Sequence, residues 1–319
     1  LYFFISLMED SGYMARVAFI MDRLMHKIGL HGKSFIPMIM GFGCNVPAIM
    51  ATRTIESPKS RLITTLIIPL MSCAGRMPVY ILLAGAFFPK YAGLVLLGLY
   101  ALGILIAILA AKVLSRFFKA DDLPFVMELP PYRVPTGKSI IRHTWEKGKQ
   151  YLQKMSGVIL LCSMAIWFLG YFPNHDAYDS VEKQQENSFI GYMGKTIEPV
   201  LEPLGFDWRM GVGIVAGVGA KELVVSTLGV MYAEGEPLAG ETEDVEETRL
   251  QRALVKSVTP AGALAYMVFI LLYFPCIATF IAIKNETGGW KWAIFTAVYT
   301  ICLAWVAAFL TFRIASLFI

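Results

Sequence analysis

Three cysteines carry the most distinctive chemistry in this sequence, because each lies beside glycine or proline residues that would interrupt a membrane helix. Cys44 lies in GFGCNVPAIMATRTI, Cys73 in IIPLMSCAGRMPVYI and Cys276 in LLYFPCIATFIAI. Thiolates are good ligands for Cu(I), zinc and iron, and poor ones for magnesium, calcium and alkali cations. One cysteine in a membrane helix is usually a small apolar residue, but three at helix breaks favour ligands for a soft cation. Cys162 and Cys302 lie in uninterrupted apolar runs and are interpreted as packing residues.

Four charged residues lie in or near apolar segments. Glu9 and Asp10 occur in LMEDSGYM, at the edge of a span. A carboxylate at the bilayer midplane costs about 2.5–3.5 kcal/mol on insertion scales, so it is a functional hypothesis by default. The alternative is that the pair lies at the interface and caps a helix beginning near Ser11. Lys221 and Glu222 lie deeper and could partly neutralise each other, and Glu222 is a candidate to contact the cation or gate its path.

The helix breaks supply the remaining candidates. Asn45 is either a neutral oxygen ligand or a cap for the broken helix. Arg76, in CAGRMP, either closes a gate or pairs with an acid. The residues assigned to gating or helix breaking are Gly41, Gly43, Pro47, Arg76, Gly217, Gly219 and Lys221. Unwound backbone at membrane depth is tolerated only where protein or a water-filled cavity surrounds it, so the breaks indicate a site inside the protein.

The elements that must position these residues are membrane helices. The 319 residues are 56% hydrophobic and 16% charged, whereas a soluble domain carries about 25% charged residues. Apolar stretches of about 20 residues, enough to cross about 30 Å of hydrocarbon, recur along the chain. The predicted membrane segments are 10–28, 35–52, 62–88, 91–118, 155–172, 210–232, 260–283 and 291–316. The predicted fold class is therefore all-α and polytopic, with about eight segments that include broken or re-entrant helices.

Charge orients the loops. Basic residues between 119 and 154 assign that loop to the cytoplasm by the positive-inside rule. Within it, SIIRHTWEKGKQYLQKM is either a helix lying on the membrane surface or the lead-in to the next span. Loop 173–209 has seven acidic against three basic residues, which fits the outside, and the acidic loop 233–256 would then return to the cytoplasm. The net charge of +4 is small and spread over loops, so no nucleic-acid partner is indicated.

The two glycine breaks belong to an internal repeat. GFGCNVPAIMATRTI at 41 resembles GVGAKELVVSTLGVM at 217, and Cys73 and Cys276 take equivalent places downstream. Duplicated segments interrupted by glycine and proline are the best sequence pointer to a transporter's midplane site. If all segments cross, the copies run parallel. If a glycine-rich segment between them is re-entrant, the copies are inverted, and both arrangements stay open.

A set of motifs along the chain resembles the membrane region of the FeoB-type ferrous iron transporters. In order, the motifs are MEDSGYMARVAF, GFGCNVPAIMATRTI, PLMSCAGRMPVY, ELPPYRVPT, GVGAKELVVSTLGVMY and YFPCIATF. The resemblance covers essentially the whole chain and implies a multi-pass Fe²⁺ importer of a bacterial or archaeal inner membrane, with paired gate repeats also found in nucleoside-transporter relatives. It maps the family's cysteines and acidic motifs onto Cys44, Cys73, Cys276, Glu9, Asp10 and Glu222.

The resemblance also implies partners. Family members carry an amino-terminal domain that binds GTP with Mg²⁺, and the chain, which opens mid-pattern at Leu1, is expected to be a piece of such a longer protein. No nucleotide-binding residue is predicted in this chain. The expected partners are the lipid bilayer, Fe²⁺ as transported ion, the GTP-binding domain, small accessory Feo proteins and further copies of the same protein.

The expected domain organisation follows the repeat. Residues 1–118 form the first gate repeat with flanking helices, 119–154 the cytoplasmic loop, 155–172 a linking membrane helix, 173–209 an external loop and 210–319 the second gate repeat. Two other functions compete with iron transport: a nucleoside or other organic-solute transporter, and a non-transporting membrane scaffold. The chain itself is not predicted to be an enzyme, because it has no metalloprotease helix motif, nucleophile elbow or haem-ligating histidine pair.

Overall fold

A computed structural model describes residues 3, 6–7, 11–118, 136–172, 188–232 and 243–318. Within these ranges the chain is helical and forms no strand, which confirms the all-α fold class. The helices are α1 (Tyr13–Ile28), α2 (Phe35–Gly43), α3 (Asn45–Ala51), α4 (Pro58–Ile67), α5 (Met77–Phe87), α6 (Ala92–Phe117), α7 (Gly137–Tyr171), α8 (Phe189–Leu201), α9 (Trp208–Gly219), α10 (Leu223–Tyr232), α11 (Glu243–Ser257), α12 (Pro260–Leu272), α13 (Ile277–Thr287) and α14 (Trp290–Phe318).

Four stretches of the described chain are long and apolar enough to cross a bilayer. They are Pro58–Phe87, Ala92–Phe117, Pro260–Thr287 and Trp290–Phe318, and they correspond to four of the predicted segments. The first and third are 67% and 72% buried in the protein, whereas the second and fourth are 22% and 33% buried. The two buried spans are those interrupted beside Cys73 and Cys276, and the two exposed spans are continuous helices. The exposed helices therefore offer apolar side chains to lipid, and the broken backbone lies inside protein, where its polar groups are tolerated.

The other predicted segments take different forms. Segment 35–52 folds as α2 and α3, and segment 210–232 as α9 and α10, so both glycine-rich stretches are pairs of short helices. Segment 155–172 is the end of α7, which runs without interruption from Gly137 to Tyr171. The basic stretch before it is therefore a direct lead-in to that segment rather than a separate surface helix.

Two stretches predicted as loops contain helices. In 173–209, α8 begins after Ser188, whose hydroxyl caps it by accepting the N–H of Gly191 at 3.2 Å. In 233–256, α11 buries Leu250 and Leu254 and packs on α5. Helices of this length are stabilised mainly by packing of an apolar face, which is a weak signal between charged residues.

The helix α11 lies at the far end of α5. A Cβ added at Gly85 would come within 3.4 Å of the Gln251 amide nitrogen. From this end α6 leads the chain to residue 118, where the basic loop begins. The cytoplasmic location predicted for both the basic loop and α11 stays a prediction.

The structure divides into two compact units. The first comprises Leu1–Ala74, Gly103–Val158 and Ala278–Thr296, and the second Gly75–Leu102, Ile159–Ile277 and Ala297–Ile319. The first unit thus contains α1 to α4 with most of α13, and the second contains α5 with α8 to α12. Each unit combines the glycine break of one repeat with the helix that follows the cysteine of the other. The predicted division into two successive repeats follows the order of the sequence and stays a prediction.

The first turn of α4 meets the last turn of α13 in the first unit. Arg61 in the first turn of α4 donates to Glu286 in the last turn of α13 at 3.0 Å.

Candidate cation pathway

The first break site, defined as residues 41–45 and 68–73, lies in the first unit. Helix α2 ends at Gly43 because Cys44 is extended, with φ −154° and ψ 131°. Close packing explains the first glycine of the motif, since a Cβ at Gly41 would lie 3.1 Å from the Cβ of Met71. The sequence prediction of a helix break is confirmed at this point.

Asn45 holds the first break site together. It is buried, and in the amide orientation that satisfies its neighbours the nitrogen donates to the carbonyls of Gly41 at 3.1 Å and Ile68 at 3.3 Å. No side chain caps the start of α3. Asn45 therefore braces two interrupted helices against each other instead of capping one of them. Pro47 is buried in the first turn of α3, where its missing N–H would have no partner within the helix.

Both cysteines of the first unit lie on non-helical backbone. Cys44 immediately precedes α3, and Cys73 lies between the 3₁₀ turns Ile68–Leu70 and Ala74–Arg76. Each is present as a thiol and is half-buried. Half-burial leaves sulfur accessible to a small ion while the surrounding protein limits its contact with bulk water.

The second break site, defined as residues 217–222 and 273–276, repeats this construction in the second unit. Helix α9 ends at Gly219 because Ala220 is extended, with φ −149° and ψ 138°, within about 10° of Cys44. A Cβ at Gly217 would lie 2.5 Å from the Val224 Cγ2 and would also collide with the Tyr273 hydroxyl. The repeat found in the sequence is therefore a repeat of backbone geometry.

Lys221 takes the place in the second site that Asn45 has in the first. Its side chain is buried, and Nζ donates to the Phe274 carbonyl at 2.7 Å. The same nitrogen lies 3.1 Å from the centre of the Tyr273 ring. Cys276, a half-buried thiol, follows directly and precedes α13.

Glu222 and Arg76 belong to the same unit. Glu222 is exposed, and its Oε1 lies 2.8 Å from the position a Cβ at Gly75 would take, so the carboxylate rests against backbone. Arg76 is completely buried. Lys221 and Glu222 are adjacent in sequence but contact different segments, Phe274 and Gly75 respectively.

The described residues do not form a closed metal centre. Within them, no three histidine, cysteine, aspartate or glutamate side chains are grouped to hold an ion. Cys44 and Cys73 belong to the first unit and Cys276 to the second. Glu9 and Asp10 lie outside the described residues. The described arrangement offers an ion single sulfur ligands and carbonyl oxygens of non-helical backbone.

The sequence analysis does not predict an ion-pair cluster that lies at the end of α13. Arg53 Nε donates to both Glu286 oxygens at 2.8 and 2.9 Å, and Arg61 joins the same carboxylate. The Glu286 side chain is 4% exposed. The hydrogen bond that Arg53 donates to this carboxylate raises the pKa of Arg53 above its usual value. A cavity of about 300 Å³ beside the cluster is lined in part by Thr65 and Trp292. The sequence separations of 233 and 225 residues left no local signal for this pairing.

Comparison with known proteins assigns the family. The family model described as "Gate: Nucleoside recognition" matches residues 1–87 and 152–290, and that described as "Ferrous iron transport protein B C terminus" matches 96–147. A Fe(2+) transport protein A/Fe(2+) transporter FeoB fusion protein of Porphyromonas gingivalis is 54% identical, covering 100% of this chain and 42% of the relative.

Two further relatives come from distant organisms. The Fe(2+) transporter FeoB of Staphylococcus aureus is 46% identical over 100% of this chain and 46% of its own length. That of Methanocaldococcus jannaschii is 44% identical over 97% and 45%. No solved structure matches the chain. The architecture and the matches define a membrane protein built from gate repeats. The chain belongs to the FeoB-type transporter family, and it spans about half the length of the curated relatives it matches.

Proposed function

We propose that this chain is the permeation region of a ferrous iron importer, with Fe²⁺ as the transported ion. The observation that carries the proposal is the repeated pair of break sites with a half-buried thiol on unwound backbone at Cys73 and again at Cys276. Cys44 adds a third thiol at the glycine break of the first copy. The names of the relatives, all Fe(2+) transporters, supply the identity of the ion.

Passage requires ligands that replace part of the hydration shell without trapping the ion. Iron accepts thiolate and carboxylate ligands, and a thiol must release its proton to bind a metal. Sites along a conduction route must bind strongly enough to admit the ion and weakly enough to release it. Sparse sulfur ligands with carbonyl oxygens meet that requirement better than a three-ligand cage would.

The positions of the other candidate residues in the structure are the basis for the roles proposed for them. Glu222, exposed and lying against the Gly75 backbone, is proposed to contact the ion or gate its approach. Buried Arg76 is proposed to position that turn. Glu9 and Asp10 stay candidates from sequence and family resemblance alone.

The relatives are about twice as long as this chain, and we propose that the additional length includes the GTP-binding domain, with Mg²⁺, that drives or gates transport. The expected location is the cytoplasmic membrane of a bacterium or archaeon. Accessory Feo proteins and further copies of the chain are proposed partners. Nucleotide dependence is measurable in vesicles containing the full-length parent, where Fe²⁺ uptake that is identical with and without GTP would contradict the coupling.

The cysteine route is tested by Fe²⁺ uptake in the full-length parent under anaerobic conditions. We expect Cys44→Ser, Cys73→Ser and Cys276→Ser each to lower uptake by on the order of tenfold, equivalent to about 1.4 kcal/mol of lost ion binding. Cys302→Ser is the matched control, because Cys302 is exposed on the continuous helix α14.

The alternatives predict other outcomes. Wild-type uptake in all three cysteine variants at equal expression would refute the sulfur route. Uptake of labelled uridine by the same vesicles, without Fe²⁺ transport, would favour a nucleoside carrier. Absence of uptake of either substrate by the wild-type parent would favour a scaffold.

A further inference from the structure

The two break sites share a backbone but differ at two successive positions. The extended residue is Cys44 in the first site and Ala220 in the second. The next residue is Asn45 in the first and Lys221 in the second. Both of these side chains reach a carbonyl of the second interrupted helix, Asn45 that of Ile68 and Lys221 that of Phe274. The second copy has therefore exchanged a thiol for a methyl group and a neutral donor for an ammonium.

Lys221 lies in surroundings that favour the binding of a cation. Its side chain is 4% exposed, and Nζ lies 2.7 Å from the Phe274 carbonyl oxygen and 3.1 Å from the centre of the Tyr273 ring. Carbonyl oxygens and the face of an aromatic ring both attract positive charge. The glycine at 217 allows Tyr273 to approach this closely, since a Cβ there would collide with the hydroxyl group.

We propose that Lys221 is a tethered cation that fills the glycine break of the second site, so that the transported dication is held at Cys44 in the first copy but not at the equivalent Ala220, and contacts Cys276 only during passage. This inference rests on the proposed function and deepens it. A divalent ion entering the second site would have to displace the ammonium from its carbonyl or share a buried volume with a like charge, and the low dielectric of the interior strengthens that repulsion. The first site, with neutral Asn45 and a thiol at Cys44, lacks this obstacle.

The inference assigns different work to the two copies. The glycine break of the first copy supplies the thiol of Cys44, where a dication is held. The second copy supplies a fixed positive charge that limits occupancy to one dication and repels a second ion from the adjacent backbone. A Lys221 that merely stabilised the fold would change stability when replaced, but it would not set the number of ions bound.

The test counts Fe²⁺ ions bound to the purified full-length parent by anaerobic equilibrium dialysis, with all variants compared to wild type. The double variant Ala220→Cys, Lys221→Asn copies the first site into the second and should bind one additional Fe²⁺ per chain. Asn45→Lys copies the ammonium into the first site and should weaken Fe²⁺ binding at least tenfold. Cys302→Ser, exposed on the continuous helix α14, is the matched control and should bind as wild type does.

Each outcome decides the matter. Unchanged stoichiometry in a folded double variant, or wild-type affinity in Asn45→Lys, overturns the inference. If the double variant does not fold, Ala220→Cys alone is decisive: with Lys221 present it should gain no ion, and a second bound Fe²⁺ overturns the inference. If Cys44→Ser leaves Fe²⁺ binding and uptake unchanged, the proposed cation route fails at this cysteine. If Cys44→Ser weakens both while the Lys221 variants behave as wild type, only the inference about Lys221 fails.

Discussion

A single added methyl group tests how tightly the second break site is packed. An alanine Cβ at Gly217 would lie 2.5 Å from the Val224 Cγ2 and closer still to the Tyr273 hydroxyl, and both neighbours are buried. At the equivalent Gly41, the Cβ would lie 3.1 Å from the Cβ of Met71, a tight contact that a shift of a few tenths of an ångström relieves. The same substitution therefore meets a severe overlap in the second copy and a mild one in the first.

The expected change in the free energy of unfolding is the sum of two opposing contributions. An extra methyl in a packed interior costs about 1–3 kcal/mol, and replacing glycine by alanine inside a helix gains about 1 kcal/mol. Because two buried groups obstruct the site, Gly217→Ala falls at the upper end of the packing cost, with a net loss of about 2 kcal/mol. Gly41→Ala should change the free energy of unfolding by less than about 1 kcal/mol. Gly98→Ala is the control, since nothing lies within 4 Å of the added Cβ and only the helix gain remains.

The assay is unfolding of the purified protein in one detergent, followed by tryptophan fluorescence. The expected order of stability is Gly98→Ala, then Gly41→Ala, then Gly217→Ala. Adding Val224→Ala to Gly217→Ala removes one obstructing group, so the loss in the double variant should be smaller than the sum of the single losses. If Gly217→Ala is as stable as Gly98→Ala, the close approach of α9 to Tyr273 does not exist, and the argument for a built second site falls with it.

Three further predictions concern Glu286, His31 and the location of the charged loops. Glu286→Gln should lower stability in thermal unfolding by about 1–3 kcal/mol, less than for a fully buried ion pair, because its two arginine partners are 54% and 34% exposed; no change would contradict a stabilising cluster. Burial lowers the pKa of His31, whose Nδ1 accepts the N–H of Lys33 at 3.2 Å, so its stability contribution is full above pH about 6.5 and lost as the pH falls through the lower folded pKa. His31→Asn should retain the cap and flatten the pH dependence of the melting temperature between pH 7 and 5, and an unchanged slope would exclude His31 as its source. In intact cells an impermeant maleimide should reach Lys256→Cys on α11 and Lys138→Cys at the start of α7 only after permeabilisation, because both loops are predicted to be cytoplasmic; labelling of either residue in intact cells would contradict that location.

Local chemistry explains what the sequence could predict. Glycine next to a polar residue within an apolar stretch is visible without any tertiary information, and both predicted breaks, at Cys44 and Ala220, are present. The long continuous helices α6 and α14 follow from their apolar length alone. The family resemblance rests on these same stretches.

Long-range pairing explains what could not be predicted. The sequence identified Asn45 and Lys221 as polar residues at breaks, but not that each would reach a carbonyl of another interrupted helix. Lys221 was considered as a partner for its neighbour Glu222, and the structure directs it to Phe274, 53 residues away.

The points where the chain passes between the two units suggest why the cysteines lie where they do. The chain leaves the first unit after Ala74 and leaves the second after Ile277, one residue beyond Cys73 and Cys276 respectively. The other passages fall inside the continuous helices α6, α7 and α14. Cys73 and Cys276 themselves lie outside a helix, and such backbone can absorb a change of φ and ψ without breaking a ladder of hydrogen bonds. A rearrangement of the adjacent turn would therefore move the thiol of Cys73 or Cys276 directly. Ion binding and backbone conformation would then be linked at the same residue, which is the coupling that a gated route for Fe²⁺ requires.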